Sequence, residues 1–263
     1  MPPIFWPTLG NSMKIIISPA KKMRTDNDSL EWLSLPHFLP RTKEIYSVLQ
    51  QMTYDELKKL WKCNDQIAQL NVARLQNMEL EKNLTPAILA YEGIQYQYMA
   101  PGVFTTQELE YIQNNLYILS GFYGMLRPFD GVTPYRLEMQ AKLSVKGKKD
   151  LYEFWASSLA DRISEETDCI INLASKEYSV CISKHLNSNT KFITCTFCEE
   201  KNGKLIEKGT MCKMARGEMV RYMAEQNISL PDEIKQFSRL NYKFSAEHSN
   251  DNNFVFIQEK AGA

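Results

Sequence analysis

Two arginines and two tyrosines come from one rigid, loop-rich stretch of this chain. The run Leu119-Ser120-Gly121-Phe122-Tyr123-Gly124-Met125-Leu126-Arg127-Pro128 brackets two aromatics with glycines and sets Arg127 directly before a proline. A second proline turn, Thr133-Pro134-Tyr135, leads into Arg136-Leu137-Glu138-Met139. Glycine lets the backbone turn with φ > 0 and lets a partner approach closely, while proline keeps the residue before it extended. Guanidinium forks match phosphate and carboxylate through two parallel hydrogen bonds. Tyr123, Arg127, Tyr135 and Arg136 therefore read as an anion-binding set. The competing reading is a tight turn whose aromatics fill core and whose arginines pair with nearby acids.

Three further groups have chemistry to offer. Lys21 and Lys22 leave the end of an apolar β-branched run, Ile15 to Ile17, through Ser18-Pro19-Ala20. A second apolar run, Cys169 to Ser175, empties in the same way into Lys176-Glu177-Tyr178. Loops at the ends of buried strands are common places for ligand contacts. Asn172, Ser175, Glu177 and Tyr178 could form a hydrogen-bonding pocket wall. The third group is a helix over 210–226. It places Met214, Ala215, Met219, Tyr222 and Met223 on one half and Lys213, Arg216 and Arg221 on the other. Gly217 lies among the basic residues, where it would let something come close between two arginines. A surface helix with a basic side is the alternative.

The elements that must position these residues are legible in outline. Ile15–Ile17 reads as a strand buried on both faces. Arg41–Gln51 reads as a helix, and Thr53-Tyr54-Asp55-Glu56 as a capping-box start to another, running to Asn77 with a break near Cys63-Asn64-Asp65. Within it, Ile67 to Leu75 reads either as a hairpin between two short helices or as a plain helical pair. Pro86–Gly93 is expected as a buried strand ending in a glycine turn, Thr106–Leu119 as a helix, and Leu151–Ile163 as a helix. Ala141–Asp150 reads as a basic turn. Phe192–Phe197 is a third strand, with Leu205 a hairpin partner across Lys201-Asn202-Gly203-Lys204. Residues 231–237 read as a short helix, and 241–244 and 254–257 as strands.

Composition bounds the function. The chain has 263 residues, 44% of them hydrophobic, with 31 basic against 31 acidic residues. There is enough chain for a sizeable core. Balanced charge gives no global excess to attract nucleic acid, so any polyanion site must be a local patch. No apolar run reaches the ~18 residues needed to span a bilayer, so no membrane partner is expected. The start lacks the pattern of a signal peptide. Cys63, Cys169, Cys181, Cys195, Cys198 and Cys212 are scattered, which fits a reducing cytoplasm better than a disulfide framework. His37, His185 and His248 show no metal-ligand spacing, and Cys195-Thr196-Phe197-Cys198 has no second pair. There is no phosphate-binding loop, dinucleotide fingerprint or nucleophile elbow. No metal or cofactor is expected, and an enzyme is not announced.

The quoted motifs resemble the YaaA peroxide stress resistance proteins of bacteria. The likeness runs in order from Met13-Lys14-Ile15-Ile16-Ile17-Ser18-Pro19-Ala20-Lys21 through Asn71-Val72-Ala73-Arg74, the central 119–128 motif and Pro134-Tyr135-Arg136-Leu137-Glu138-Met139. It continues to Asn172-Leu173-Ala174-Ser175 with Glu177-Tyr178, and to Ala215-Arg216-Gly217 with Arg221. Residues 1–12 fall outside it and read as an extension, with Met13 as the functional beginning and 13–263 as a single domain. The resemblance implies an α/β fold of the family's own kind: one mixed-sheet unit with surrounding helices, a basic cleft and a helix-hairpin-helix element. It implies a cytoplasmic protein of the hydrogen peroxide response that limits intracellular iron and binds duplex or branched DNA without sequence specificity. The hairpin would fall at Ala68 to Arg74, where Gln69 stands at a position that can be glycine in the family. The cleft would draw on Lys21, Arg74, Arg127, Arg136, Lys184, Arg216 and Arg221. The second hypothesis is an enzyme or binder acting on a small nucleotide-like anion. Arg127, Arg136 and Arg216 would clamp it, Tyr123, Tyr135, Ser175 and Glu177 would meet its reacting end, and Asn172 would converge with the arginines.

Overall fold

A computed structural model describes residues 13–259; the extension expected at 1–12 lies outside them. The chain enters through β1 (Lys14–Ile17) and the two-residue β2 (Lys22–Met23), then runs through α1 (Leu39–Gln50), α2 (Tyr54–Trp61) and α3 (Asp65–Gln76). Short pieces follow: β3 (Thr85–Pro86), α4 (Ala87–Ala90), β4 (Tyr91–Glu92) and α5 (Ile94–Met99). Next come α6 (Thr106–Asn115), β5 (Leu116–Ser120), β6 (Gly124–Leu126) and β7 (Gly131–Val132). The second half holds α7 (Leu151–Trp155), α8 (Ser158–Ser164), β8 (Cys169–Leu173), α9 (Lys176–Ser183) and β9 (Lys191–Lys201). It ends with β10 (Lys204–Ile206), α10 (Gly209–Glu225), β11 (Tyr242–Phe244) and β12 (Asn253–Gln258).

The fold is α/β. An eight-stranded mixed sheet runs in the order β11-β12-β9-β8-β1-β5-β6, with β10 folded onto β9 as a hairpin. β1, β5, β8, β9 and β12 pair in parallel, while β6, β10 and β11 add antiparallel edges. The β-branched run of β1 is central because it can be buried on both faces: Ile15, Ile16 and Ile17 are inaccessible, and Ile16 stands between Tyr117 of β5 and Asn172 of β8. The chain goes from β1 to β5 on one side and returns as β8 on the other. The strand order therefore reverses between β1 and β8. Crevices outside the carboxyl ends of strands at such a reversal are where open α/β sheets hold ligands.

Several local expectations change. Thr106 starts a helix, with Thr105 and Glu108 forming a capping box, but it ends at Asn115; Leu116 onward is strand β5. An apolar run such as Leu116-Tyr117-Ile118-Leu119 fits either state by spacing, and parallel pairing with Ile15–Ile17 decides it. The expected strand at 86–93 is instead two short strands flanking α4. The helix expected over 151–163 breaks at Ala156, whose φ is +45°, into α7 and α8. The hairpin placed at Ala68 to Arg74 is overturned, because Asp65–Gln76 is one uninterrupted helix capped by Asn64. The turn between helices lies earlier, across Lys62, Cys63 and Asn64. No helix among the described residues is long and apolar enough to cross a membrane.

Candidate functional site

The loops after β1 and β8 open into a cavity of about 410 Å³. Its wall comes from four places: Ser18 to Lys22 after β1, Glu92 to Tyr96 around the start of α5, Tyr135 to Glu138, and Ser175, Glu177 and Tyr178 at the start of α9. Lys213 and Arg216 close it from α10. The loops are tied to one another. The Ser175 N–H donates to Ser18 Oγ at 2.8 Å, and the Tyr96 hydroxyl donates to the Ser18 carbonyl at 3.0 Å. β2 pairs with β4 so that Lys22 faces Glu92, and their side chains form an ion pair at 3.0 Å.

Two glycines bring backbone against backbone to build the wall. A Cβ on Gly121 would stand 2.8 Å from the Leu137 carbonyl, so the glycine lets the 135–139 segment lie directly on the loop after β5. A Cβ on Gly217 would stand 2.1 Å from the Gln95 carbonyl. From the sequence, Gly217 is expected to admit a partner between two arginines. What comes close is α5 of the same chain, and the approach brings Gln95 beside Arg216.

The polar groups fall into satisfied and unsatisfied sets. Tyr135 is buried, its hydroxyl 2.6 Å from Ser120 Oγ and 2.9 Å from the Tyr91 hydroxyl. Ser120 Oγ already accepts from the N–H groups of Phe122 and Tyr123, so its own proton goes to Tyr135. Lys21 pairs with Glu138. In contrast, Arg136 Nε, Arg216 Nε and Gln95 Nε2 are buried with no hydrogen-bond partner among the described residues. Among the described residues no ion pair involves Arg136 or Arg216.

The family model for the peroxide stress protein YaaA matches residues 13–248. The chain belongs to that family. It is 55% identical over 249 residues to a UPF0246 protein of Agathobacter rectalis, covering 95% of this chain and 100% of the relative. It is 54% identical over 246 residues to a UPF0246 protein of Lachnoclostridium phytofermentans, covering 94% and 96%. A UPF0246 protein of Ligilactobacillus salivarius is 50% identical over 246 residues, covering 94% and 100%.

In this YaaA-family chain the residues singled out in the sequence separate. Lys21, Tyr135, Arg136, Ser175, Glu177 and Arg216 meet in the cavity. Arg127 does not: it lies at the opposite end of the strands, paired with Glu166 at 2.8 Å, beside a shallow cavity of about 190 Å³. Tyr123 is core, its hydroxyl accepting from the Thr133 N–H at 3.1 Å. Asn172 is buried and positions the exit of β8, accepting from the Ala174 N–H at 2.9 Å and donating to Thr194 Oγ1 at 3.2 Å. Arg74 holds β2 by donating to the Met23 carbonyl at 2.9 Å. Arg221 pairs with Glu225 at 2.7 Å, and Lys184 is an exposed residue closing α9. Neither lines the cavity. Gln95 was not foreseen; its only local signal is its place just after Gly93, where a strand turns into a helix.

Glu177 sits in the first turn of α9, where the helix dipole favours a carboxylate. Its pKa is nevertheless raised, first by burial and further by the charge of Glu138, against hydrogen bonds from the Gln140 and Met139 N–H groups and the charge of Lys21. Tyr135 is pushed up to about 12 by burial, so its hydroxyl stays protonated as a donor or acceptor of hydrogen bonds. Burial also pushes up the thiols of Cys181, Cys195 and Cys198, which makes them unreactive as nucleophiles. Among the described residues no group of three or more His, Cys, Asp or Glu side chains is placed to hold a metal.

Proposed function

We propose that this chain serves the peroxide stress response by binding a small nucleotide-like anion in the cavity between β1 and β8. One observation carries the reading: Arg136, Arg216 and Gln95 line one cavity and each has a buried, unpartnered donor nitrogen. A buried donor left unpaired costs ~1–3 kcal/mol. An oxyanion supplies the missing acceptors. A cavity of about 410 Å³ is of the size that encloses a metabolite rather than a duplex. The reading covers turnover of the anion as well as binding. The link to intracellular iron would then run through the ligand. The test is titration calorimetry with adenosine monophosphate (AMP). Heat of binding in the wild type that disappears in Arg216→Met supports the reading, and equal binding by both proteins removes it.

Duplex or branched DNA is the second reading. What favours it is the exposed rim of Lys21, Lys22 and Lys213 beside the two arginines, together with the α2–α3 pair joined across Lys62 to Asn64. Such binding would be dominated by phosphate contacts, without base preference and steeply dependent on salt. Fluorescence anisotropy of a short duplex over a salt series tests it. A linear fall of log affinity with log salt supports DNA, and no binding at low salt removes it.

A further inference from the structure

The cavity is lined by two chemically different sets of groups, unpartnered donors and paired carboxylates, and one segment contributes to both. All four residues from Tyr135 to Glu138 line the cavity; Tyr135 and Leu137 are buried, while Arg136 and Glu138 are half-buried and bring the charges. The segment lies on Gly121 and cannot shift toward it. Arg136, Arg216 and Gln95 supply the donors. Gln95 is 7% exposed, and its amide nitrogen has no partner. Beyond Glu138 the chain continues to Gln140, whose N–H donates to Glu177 Oε1 at 3.3 Å. Glu138 and Glu177 therefore sit together. The charges that act most on Glu177 are those of Glu138 and Lys21 rather than those of the arginines.

We propose that the ligand is a phosphate ester of a hydroxyl-bearing body, a sugar phosphate or a ribonucleotide. Its phosphate would sit at Arg136, Arg216 and Gln95, and its hydroxyls would donate to Glu177 and Glu138. This rests on the anion reading of the cavity and adds the carboxylates. An ionised carboxylate only accepts hydrogen bonds. Two of them beside an anion site would repel a bare anion, so they call for a ligand that brings donors of its own. Acidic side chains hold ribose hydroxyls in this way in dinucleotide-binding sheets, also beyond the carboxyl ends of parallel strands. Glu177 is well suited, because backbone N–H groups hold its carboxylate in place at the cavity wall and each oxygen has more than one lone pair to offer. Lys21, whose side chain is 65% exposed, pairs with Glu138 and stays largely in solvent.

The experiment is titration calorimetry with inorganic phosphate, ribose 5-phosphate, AMP and 2′,3′-dideoxy-AMP. Wild type should bind AMP about tenfold or more tightly than either the dideoxy compound or inorganic phosphate, the value of hydrogen bonds to a charged group. Glu177→Gln should bring AMP down to the dideoxy level and leave inorganic phosphate unchanged. Glu138→Gln repeats the test from the other carboxylate should the first variant not fold. Ribose 5-phosphate bound as tightly as AMP marks the free sugar phosphate as sufficient, and AMP bound more tightly marks the nucleotide; both support the assignment. Equal affinity of wild type for AMP and the dideoxy compound overturns it, as does a hydroxyl preference that survives both carboxylate variants. Failure of the anion reading shows differently: none of the four compounds binds, or Arg216→Met binds all of them like wild type.

Discussion

Arginines gather at both ends of the parallel strands and meet opposite fates. At the amino ends of β1, β5 and β8, Arg127 and Arg162 close on Glu166 at 2.8 and 2.5 Å, with Lys14 at 3.3 Å. The Tyr117 hydroxyl donates to the same carboxylate at 2.8 Å. At the carboxyl ends, Arg136 and Arg216 have no such partner among the described residues. The carboxylates record the difference. Burial raises the pKa of Glu166, but the Tyr117 hydroxyl and the charges of Arg127, Arg162 and Lys14 outweigh it and hold the group at about 2. Glu177, beside Glu138 in the cavity, moves the other way. A guanidinium is therefore not a ligand site by being near glycines and tyrosines. It becomes one where the fold withholds its counter-ion.

The largest effect should come from removing the counter-ion at the amino end. Glu166→Gln leaves Lys14, which is 7% exposed, among arginines with the Asn114 carbonyl as acceptor but without its counter-charge. It should cost about 3–5 kcal/mol in urea unfolding, the scale for a buried pair that loses one partner. It should leave AMP binding intact. A variant of full stability would break the contrast between a structural and a functional arginine cluster.

At the carboxyl end the expected loss is in affinity. Arg216→Met should weaken AMP by ten- to a hundredfold, about 1.5–3 kcal/mol, with the unfolding midpoint unchanged or higher. Arg127→Met should do the reverse, lowering the midpoint and leaving AMP binding alone. Measuring both quantities on both variants decides whether the two clusters differ in kind.

Gly217→Ala sharpens the same point. In an exposed helix this change stabilises by ~1 kcal/mol. Here the new methyl meets the Gln95 carbonyl, so about 1–3 kcal/mol should be lost instead, and AMP binding should weaken as Gln95 and Arg216 separate. Calorimetric melting gives the sign directly.

The smallest effect is a pH dependence of opposite sign at the two ends. The folded pKa of Glu166, about 2, lies below its ordinary 4.5. Its contribution is thus complete above about 4.5 and is lost as pH falls toward 2, with about 1–2 kcal/mol gone by pH 3 after allowance for solvent screening. The raised pKa of Glu177 means the folded chain holds that proton more strongly than the unfolded one. Its contribution is lost as pH rises through the folded value. Urea unfolding between about pH 3 and pH 6 should show an acid-labile component that Glu166→Gln removes and Glu177→Gln does not.

Much of this could be read locally. The Ile15–Ile17 run marks a strand buried on both faces because three β-branched residues in a row suit no amphipathic element. Thr53 and Glu56 announce a helix start through their mutual hydrogen bonds, 2.7 Å from the Thr53 N–H to Glu56 Oε2. The apolar run into Asn172 and Ser175 marks a strand that empties into a polar loop, and the cavity opens there. These signals act over a few residues, where sterics and periodicity are decided. The partner of a charge is not so decided. Arg127 and Arg136 stand nine positions apart in similar surroundings of proline and tyrosine. Parallel register carries Glu166 to the first and nothing to the second. Leu116 to Leu119 became strand instead of helix for the same reason, since pairing with β1 outweighs local spacing. The sequence alone determined which residues could bind an anion. The tertiary structure decided which of them remain unpaired to do it, because ion pairing depends on which chain ends the sheet brings within 4 Å.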